Sequence, residues 1–228
     1  MGQLAEQKGV DAVDRALAIL ECFATADQPL SLAQIARETG LYKSTILRLL
    51  NSLIRFGYLE RDELGQYRLA STVWRLGAQY RASFSLGDGI RAELAHLAKA
   101  TGETASFYVR RGDARLCLYR SEPERAIRHS VAEGVELPIG LGASGKVLQA
   151  FDRDSGSKWD DIREAGFATS RGERNPDVAA IAAPVFDQSG RLRGAIAVSG
   201  PVTRLDEVAT ARVAKLLTER AAALIIPA

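Results

Sequence analysis

The stretch Ser31-Leu-Ala-Gln-Ile-Ala-Arg-Glu-Thr-Gly-Leu-Tyr-Lys-Ser-Thr-Ile-Leu-Arg-Leu-Leu50 decides the reading of this chain. Ser31 with Gln34 three residues on is a capping box, which satisfies orphan amides in the first turn of a helix. Gly40 suits the left-handed position just past that helix. The spacing predicts a further helix from about Lys43 to Phe56. Ile46, Leu49, Leu50 and Leu53 form its core stripe, and Ser44, Arg48, Asn51 and Arg55 share the opposite face. Two short helices joined by a tight turn, the second studded with Lys43, Ser44, Thr45 and Arg48, present side chains to a DNA major groove.

The flanking residues extend this unit. Upstream, Val13, Ala16, Leu17, Ile19, Leu20 and Phe23 recur at helical spacing, and Ala26-Asp-Gln-Pro-Leu30 ends that helix. Downstream, Gly57 stops the third helix. Tyr58–Arg61 and Gln66–Leu69 then flank the turn Asp62–Gly65, which reads as a hairpin. Three helices and a hairpin make a winged helix-turn-helix, with Arg61 and Arg68 on the wing. Charge follows the same division. Residues 1–36 carry two basic and five acidic residues, whereas residues 37–75 carry seven basic and four acidic ones. The chain as a whole is only +2, so the positive block marks a phosphate-contacting face that net charge conceals.

The expected organisation has four parts. Residues 1–9 are a disordered tail, 10–72 the winged helix-turn-helix DNA-binding domain, 73–86 a linker helix, and 87–228 an effector-binding and oligomerisation domain. Val73, Trp74, Leu76 and Tyr80 give the linker an apolar side suited to dimer contacts, and Leu86-Gly-Asp-Gly89 is the expected hinge. Beyond it, a helix is expected over Ile90–Ala100. Strands are expected over Thr104–Arg110, Arg115–Ser121, Ala126–Val131, Val178–Phe186 and Leu192–Ser199, and a last helix from about Asp206 to Ile226. Hairpin-rich sheet with helices before and after is α+β rather than a doubly wound parallel sheet.

Composition excludes several classes. At 46% apolar and 25% charged, the 228 residues suit two modest globular domains. No apolar run approaches the roughly 18 residues of a membrane span, and Met1–Lys8 does not resemble a signal peptide. Cys22 and Cys117 stand far apart in apolar settings, as isolated thiols would in a reducing cytoplasm. Two histidines, His96 and His129, and two cysteines without close spacing make no zinc site.

Gly140-Leu-Gly-Ala-Ser-Gly-Lys-Val147 nearly matches a phosphate-binding loop. Val147, however, cannot supply the hydroxyl that ligates magnesium, so a nucleotide-dependent enzyme is the weaker reading. Gly142-Ala-Ser-Gly145 is one residue short of a nucleophile elbow. The loop reads better as a Gly-rich turn into a helix of about Ser144–Phe151, whose exposed amides attract an anion such as an effector carboxylate, or as a purely structural turn.

The chain resembles the IclR-type family of bacterial transcriptional regulators over nearly its full length. The pieces that carry the resemblance are Val13–Leu20, Leu30–Ala36, Gly40–Thr45, Arg48–Leu50, Gly57–Leu59, Gly145-Lys146, Ile181–Val185 and Val198–Pro201. The resemblance implies an N-terminal winged helix-turn-helix, a linker helix and a GAF-like effector-binding domain with antiparallel sheet. It also implies dimers or dimers of dimers on palindromic operators, controlled by a small organic or aromatic acid, without a cofactor. The DNA-contacting candidates are Tyr42, Lys43, Ser44, Thr45, Arg48, Arg55, Arg61 and Arg68; Tyr42 either stacks on a sugar or packs under the wing. By resemblance, Ala143, Ser144, Ala180, Ala197 and Ser199 face the effector pocket, and Ser170 stands roughly where some relatives carry an acidic ligand-binding residue. Serine at 170 and alanine at 180 and 197 suggest a less polar pocket. Leu118, Ile127 and Leu141 are candidates for its apolar wall, or ordinary core residues. A DNA-binding protein whose second domain only oligomerises is the alternative function.

Overall fold

The computed structural model describes residues 9–24, 26–83, 87–152 and 155–224. The chain divides into two compact units, Met1–Ser83 and Phe84–Ala228. Residues 1–8 of the expected tail lie outside the described residues.

The first unit contains α1 (Asp11–Glu21), α2 (Leu32–Thr39), α3 (Lys43–Arg55), β1 (Leu59–Arg61), β2 (Tyr67–Leu69) and α4 (Ser71–Ser83). The capping box forms: the Gln34 amide donates to Ser31 Oγ at 3.3 Å, and the Ser31 amide donates to Gln34 Oε1 at 2.9 Å. Gly40 ends α2 in the left-handed region, its N–H donating to Ala36 O. The hairpin pairs Leu59 with Leu69, and Leu30 exchanges both backbone hydrogen bonds with Tyr67, at 2.9 and 2.8 Å. That exchange ties the entry to α2 onto the wing. Ile19, Phe23, Ile35, Ile46, Leu50, Leu53, Leu59 and Tyr67 bury together as one core. Burying each large apolar side chain is worth about 1.5–3 kcal/mol, so the core rather than helix propensity holds these short helices.

The second unit is a six-stranded sheet in the order β5-β4-β3-β8-β7-β6, antiparallel throughout. Its strands are β3 (Thr104–Arg111), β4 (Ala114–Ser121), β5 (Glu136–Pro138), β6 (Ala168–Arg171), β7 (Val178–Phe186) and β8 (Leu192–Pro201). Strand alternation sorts the side chains into two layers. Phe107, Leu116, Leu118, Ile181, Ile196 and Val198 pack against α5 (Gly87–Thr101) and α8 (Glu207–Ala223). On the other face, Tyr108, Cys117, Ala182, Ala195 and Ala197 meet α6 (Ala143–Ala150). The alanines leave that face shallow, so α6 lies close to the sheet. A short helix, α7 (Asp160–Ala165), precedes β6. The architecture is α+β, as expected.

Three details differ from the sequence reading or add to it. Gly87, Asp88 and Gly89 of the expected hinge form the first turn of α5; Leu86 lies outside the described residues. Residues 126–131 form no strand. Side chains satisfy their backbone instead, with Thr104 Oγ1 donating to His129 O at 2.7 Å and Arg120 Nη1 donating to Val131 O at 2.5 Å. The sheet edges are β5 and β6, three and four residues long, too short for any periodicity to announce them.

Candidate DNA-reading face and ligand pocket

The recognition candidates sit where α3 leaves the core. Ile46, Leu50 and Leu53 are buried, which turns Lys43, Ser44, Arg48 and Arg55 to solvent, with Thr45 half-buried. Tyr42 is 86% exposed at the N-cap position, so it does not pack under the wing. No side chain caps α3, unlike α2, and its first amides are open to an anion such as a phosphate. Among the described residues neither Lys43 nor Arg48 is in an ion pair, whereas Arg68 of the wing pairs with Glu60 at 2.6 Å. Arg61 lies over the Tyr67 ring and donates to Gly65 O at 3.3 Å. The wing arginines are therefore partly occupied within the hairpin, and Arg55 lies over the Phe56 ring, whereas Lys43 and Arg48 of α3 are in no ion pair among the described residues.

In the second unit, Ala143, Ser144, Ser170, Ala180, Ala197 and Ser199 converge on one cavity of about 50 Å³ between α6 and the sheet. Leu118, Ile127 and Leu141 do not line it. Leu118, skipped in the pairing at a β-bulge between Cys117 and Tyr119, is buried in the core on the opposite face of the sheet. Ile127 is 73% exposed, and Leu141 contributes its backbone carbonyl to Arg115. Tyr108, Arg115, His129, Glu173, Arg174 and Asn175 also line it, with Leu137, Gly142 and Val178, so the wall carries charged groups that the sequence reading did not include. Arg115 and Tyr108 are inward positions of β4 and β3, and a charged residue in phase with Cys117 on an alternating strand was the available signal. His129, Glu173 and Arg174 are loop residues brought in from far along the chain, and no local pattern marks them.

The Gly-rich loop is explained by close packing. A Cβ on Gly145 would lie 2.1 Å from Ile139 O and 2.6 Å from Arg115 Nη1, so only glycine fits. Gly142 has φ +81°, a conformation that glycine alone adopts cheaply. Lys146 is committed: its Nζ donates to Thr169 O at 3.0 Å and pairs with Glu173 Oε1. The other oxygen of Glu173 accepts from the Gly142 amide at 2.9 Å. Burial alone would raise the Glu173 carboxyl, but these hydrogen bonds outweigh it and hold the group below the usual range. Val147 is fully buried. A loop whose lysine and first amide are already joined by an internal carboxylate, with no hydroxyl after the lysine, does not support a nucleotide site.

Opposite that loop, His129 Nδ1 lies 2.9 Å from Ser199 Oγ, and Arg174 Nη2 lies 2.8 Å from His129 Nε2. Burial, with Arg174 and Arg120 nearby, pushes the imidazole pKa down to about 4. Burial likewise pushes Tyr108 up to about 12 and the Cys117 thiol up to about 11. Both cysteines are free thiols.

Comparison with known families completes the picture. Residues 12–63 match the IclR helix-turn-helix domain, and residues 79–159 and 156–225 match the bacterial transcriptional regulator IclR C-terminal domain. The chain belongs to the IclR family. It is a DNA-binding transcriptional regulator and not an enzyme. It is 30% identical to the HTH-type transcriptional regulator BhcR of Paracoccus denitrificans over 93% of this chain and 85% of that protein. It is 29% identical to the DNA-binding transcriptional repressor YiaJ of Escherichia coli K12, covering 97% and 90% respectively. A crystal structure of an IclR transcriptional regulator from Alicyclobacillus acidocaldarius superposes with a TM-score of 0.81 at 25% identity, covering 95% of this chain and 98% of that one. The Thermotoga maritima IclR structure, at 19% identity and a TM-score of 0.73, shares the fold. Among the described residues no helix is long and apolar enough to cross a membrane, and no group of acidic, histidine or cysteine side chains is placed to hold a metal.

Proposed function

We propose that this IclR-family regulator works in the cytoplasm as a dimer or dimer of dimers on a palindromic operator, and that a small organic acid controls it. The observation that carries the sensing half is the convergence of Ser144, Ser170 and Ser199 with Arg115 and Arg174 on one small cavity. Hydroxyls and guanidinium groups around a small cavity suit a carboxylate ligand of few heavy atoms. A volume of about 50 Å³ holds a few water-sized groups, which favours a compact acid over an aromatic one.

Two exposed apolar stripes support pairing of the first unit. Val10, Val13 and Leu17 stand 67%, 53% and 53% exposed at and along α1, and Trp74 and Leu76 of α4 are 71% and 48% exposed. Contiguous exposed apolar side chains mark interaction surfaces. A single winged helix binds specific DNA weakly, so a second copy supplies the other half-site. The acid changes operator affinity only by its differential affinity for two arrangements of the dimer, expressed here through the α4 pairing that spaces the half-sites.

The test is operator titration and small-angle scattering of the full chain, with and without organic acids that raise its melting temperature. A stabilising acid is expected to change operator affinity and dimer dimensions together. An acid that binds tightly yet alters neither removes the sensing mechanism.

A further inference from the structure

Arg115 is 3% exposed, and a buried guanidinium is costly unless its donors are satisfied. Only part of this one is. Its Nη1 donates to Pro138 O at 2.6 Å and to Leu141 O, which anchors the loop before α6. Its Nε is buried without a hydrogen-bond partner. Among the described residues no carboxylate lies within ion-pair distance of the group; Glu173, in the same cavity, is held by Lys146 and the Gly142 amide instead.

The unused donors lie on one edge. Nη2 is 3.1 Å from where a Cβ on Gly142 would stand, and Ser170 Oγ is 3.9 Å from that same point. Nη2 therefore lies beside the N-terminus of α6 and Ser170, with the Tyr108 ring 5.7 Å from the guanidinium carbon. Nη2 is thus the donor left for a ligand, and a charge-assisted hydrogen bond from arginine to a carboxylate is about twice as strong as a neutral one. Charge points the same way. Arg115 and Arg174 line the cavity with Glu173, whose charge Lys146 already pairs, so the lining carries a positive excess that a ligand carboxylate offsets.

We infer that Arg115 is the specificity-determining residue of this pocket, selecting compact carboxylates through its Nη2 donor and its charge. This rests on the reading of the cavity as a ligand site. Ser144, Ser170 and Ser199 then sort carboxylates by their remaining polar groups, and Glu173 acts as a built-in competitor whose negative charge weakens the incoming anion.

The experiment is calorimetric titration of the full chain at constant ionic strength with acetate, glycolate, oxalate, phosphate and neutral acetamide. At least one carboxylate is expected to bind, and acetamide is not. Arg115→Lys keeps the charge but loses the planar guanidinium that places Nη2, and is expected to weaken that binding roughly tenfold. Should that variant fail to fold, Glu173→Gln leaves Arg115 intact and is expected to tighten carboxylate binding at least threefold. Equal binding by wild type and Arg115→Lys, no gain in Glu173→Gln, or preference for phosphate overturns the role of Arg115 and leaves ligand sensing standing. If none of the probes binds and no organic acid alters melting or operator affinity, the sensing reading fails and this inference with it.

Discussion

Arg174 Nη2 and His129 Nε2 lie 2.8 Å apart, and because a guanidinium only donates, the imidazole must accept at Nε2. The ring proton is thereby placed on Nδ1, which donates to Ser199 Oγ at 2.9 Å. Ser199 keeps its own hydroxyl proton to offer elsewhere in the cavity. One loop arginine thus sets the hydrogen-bonding role of a residue two positions away in contact and 25 in sequence.

The first prediction concerns pH. His129 is pushed down to about 4 from 6.5, so the folded state prefers the neutral ring. Between these values the unfolded chain binds more protons, and stability falls as pH drops from about 6.5 toward 4. The ring is partly solvated, so the loss is on the order of 1–2 kcal/mol after screening. Urea unfolding at pH 7.5 and 4.5 measures it, and His129→Gln is expected to flatten the difference.

Arg48 and Lys43 are predicted to act differently on DNA. Arg48→Ala is expected to cost about 1–3 kcal/mol on the preferred operator and less on altered sequences, as loss of a base contact does. Lys43→Ala is expected to weaken all duplexes alike and to lower the slope of log affinity against log salt by about one. Fluorescence anisotropy across a salt series, on operator and scrambled duplexes, separates the two.

Gly145→Ala tests the packing of the Gly-rich loop. Alanine in place of glycine within a helix gains up to about 1 kcal/mol of propensity. Here the added methyl meets a backbone carbonyl at 2.1 Å, and overpacking costs about 1–3 kcal/mol. The clash wins, and the variant is expected to melt several degrees lower in differential scanning calorimetry.

The exposed stripe of α1 predicts a surface mutation with an assembly effect. Leu17 is 53% exposed, so Leu17→Glu leaves the core of the unit intact. Sedimentation velocity is expected to show smaller species for Leu17→Glu combined with Val13→Glu, with unchanged far-ultraviolet circular dichroism.

The first unit was legible because its signals are local. The capping box at Ser31 and Gln34, the left-handed Gly40 and the Ile46–Leu50–Leu53 stripe each lie within a turn or two of what they organise. The same locality failed over residues 126–131, where a β-like run of side chains is held by Thr104 and Arg120 instead of by a neighbouring strand. It failed again for Leu118, because the face a strand residue takes depends on which neighbours cover the sheet, and both faces here are covered.

The sequence by itself determined the winged helix-turn-helix, the position of the α3 cations, the hairpins of the sheet and the glycines of the α6 loop. Each follows from periodicity, capping or backbone freedom, which neighbouring residues settle among themselves. Tertiary structure alone decided the chemistry of the pocket. It brought His129 from one loop and Glu173 and Arg174 from another to Ser199 and Gly142, tied Lys146 to Glu173, and buried Arg115 with its Nε unpaired. Hydrogen-bond partners and desolvation depend on which distant segments the core draws together, and those distances are fixed only when the sheet closes.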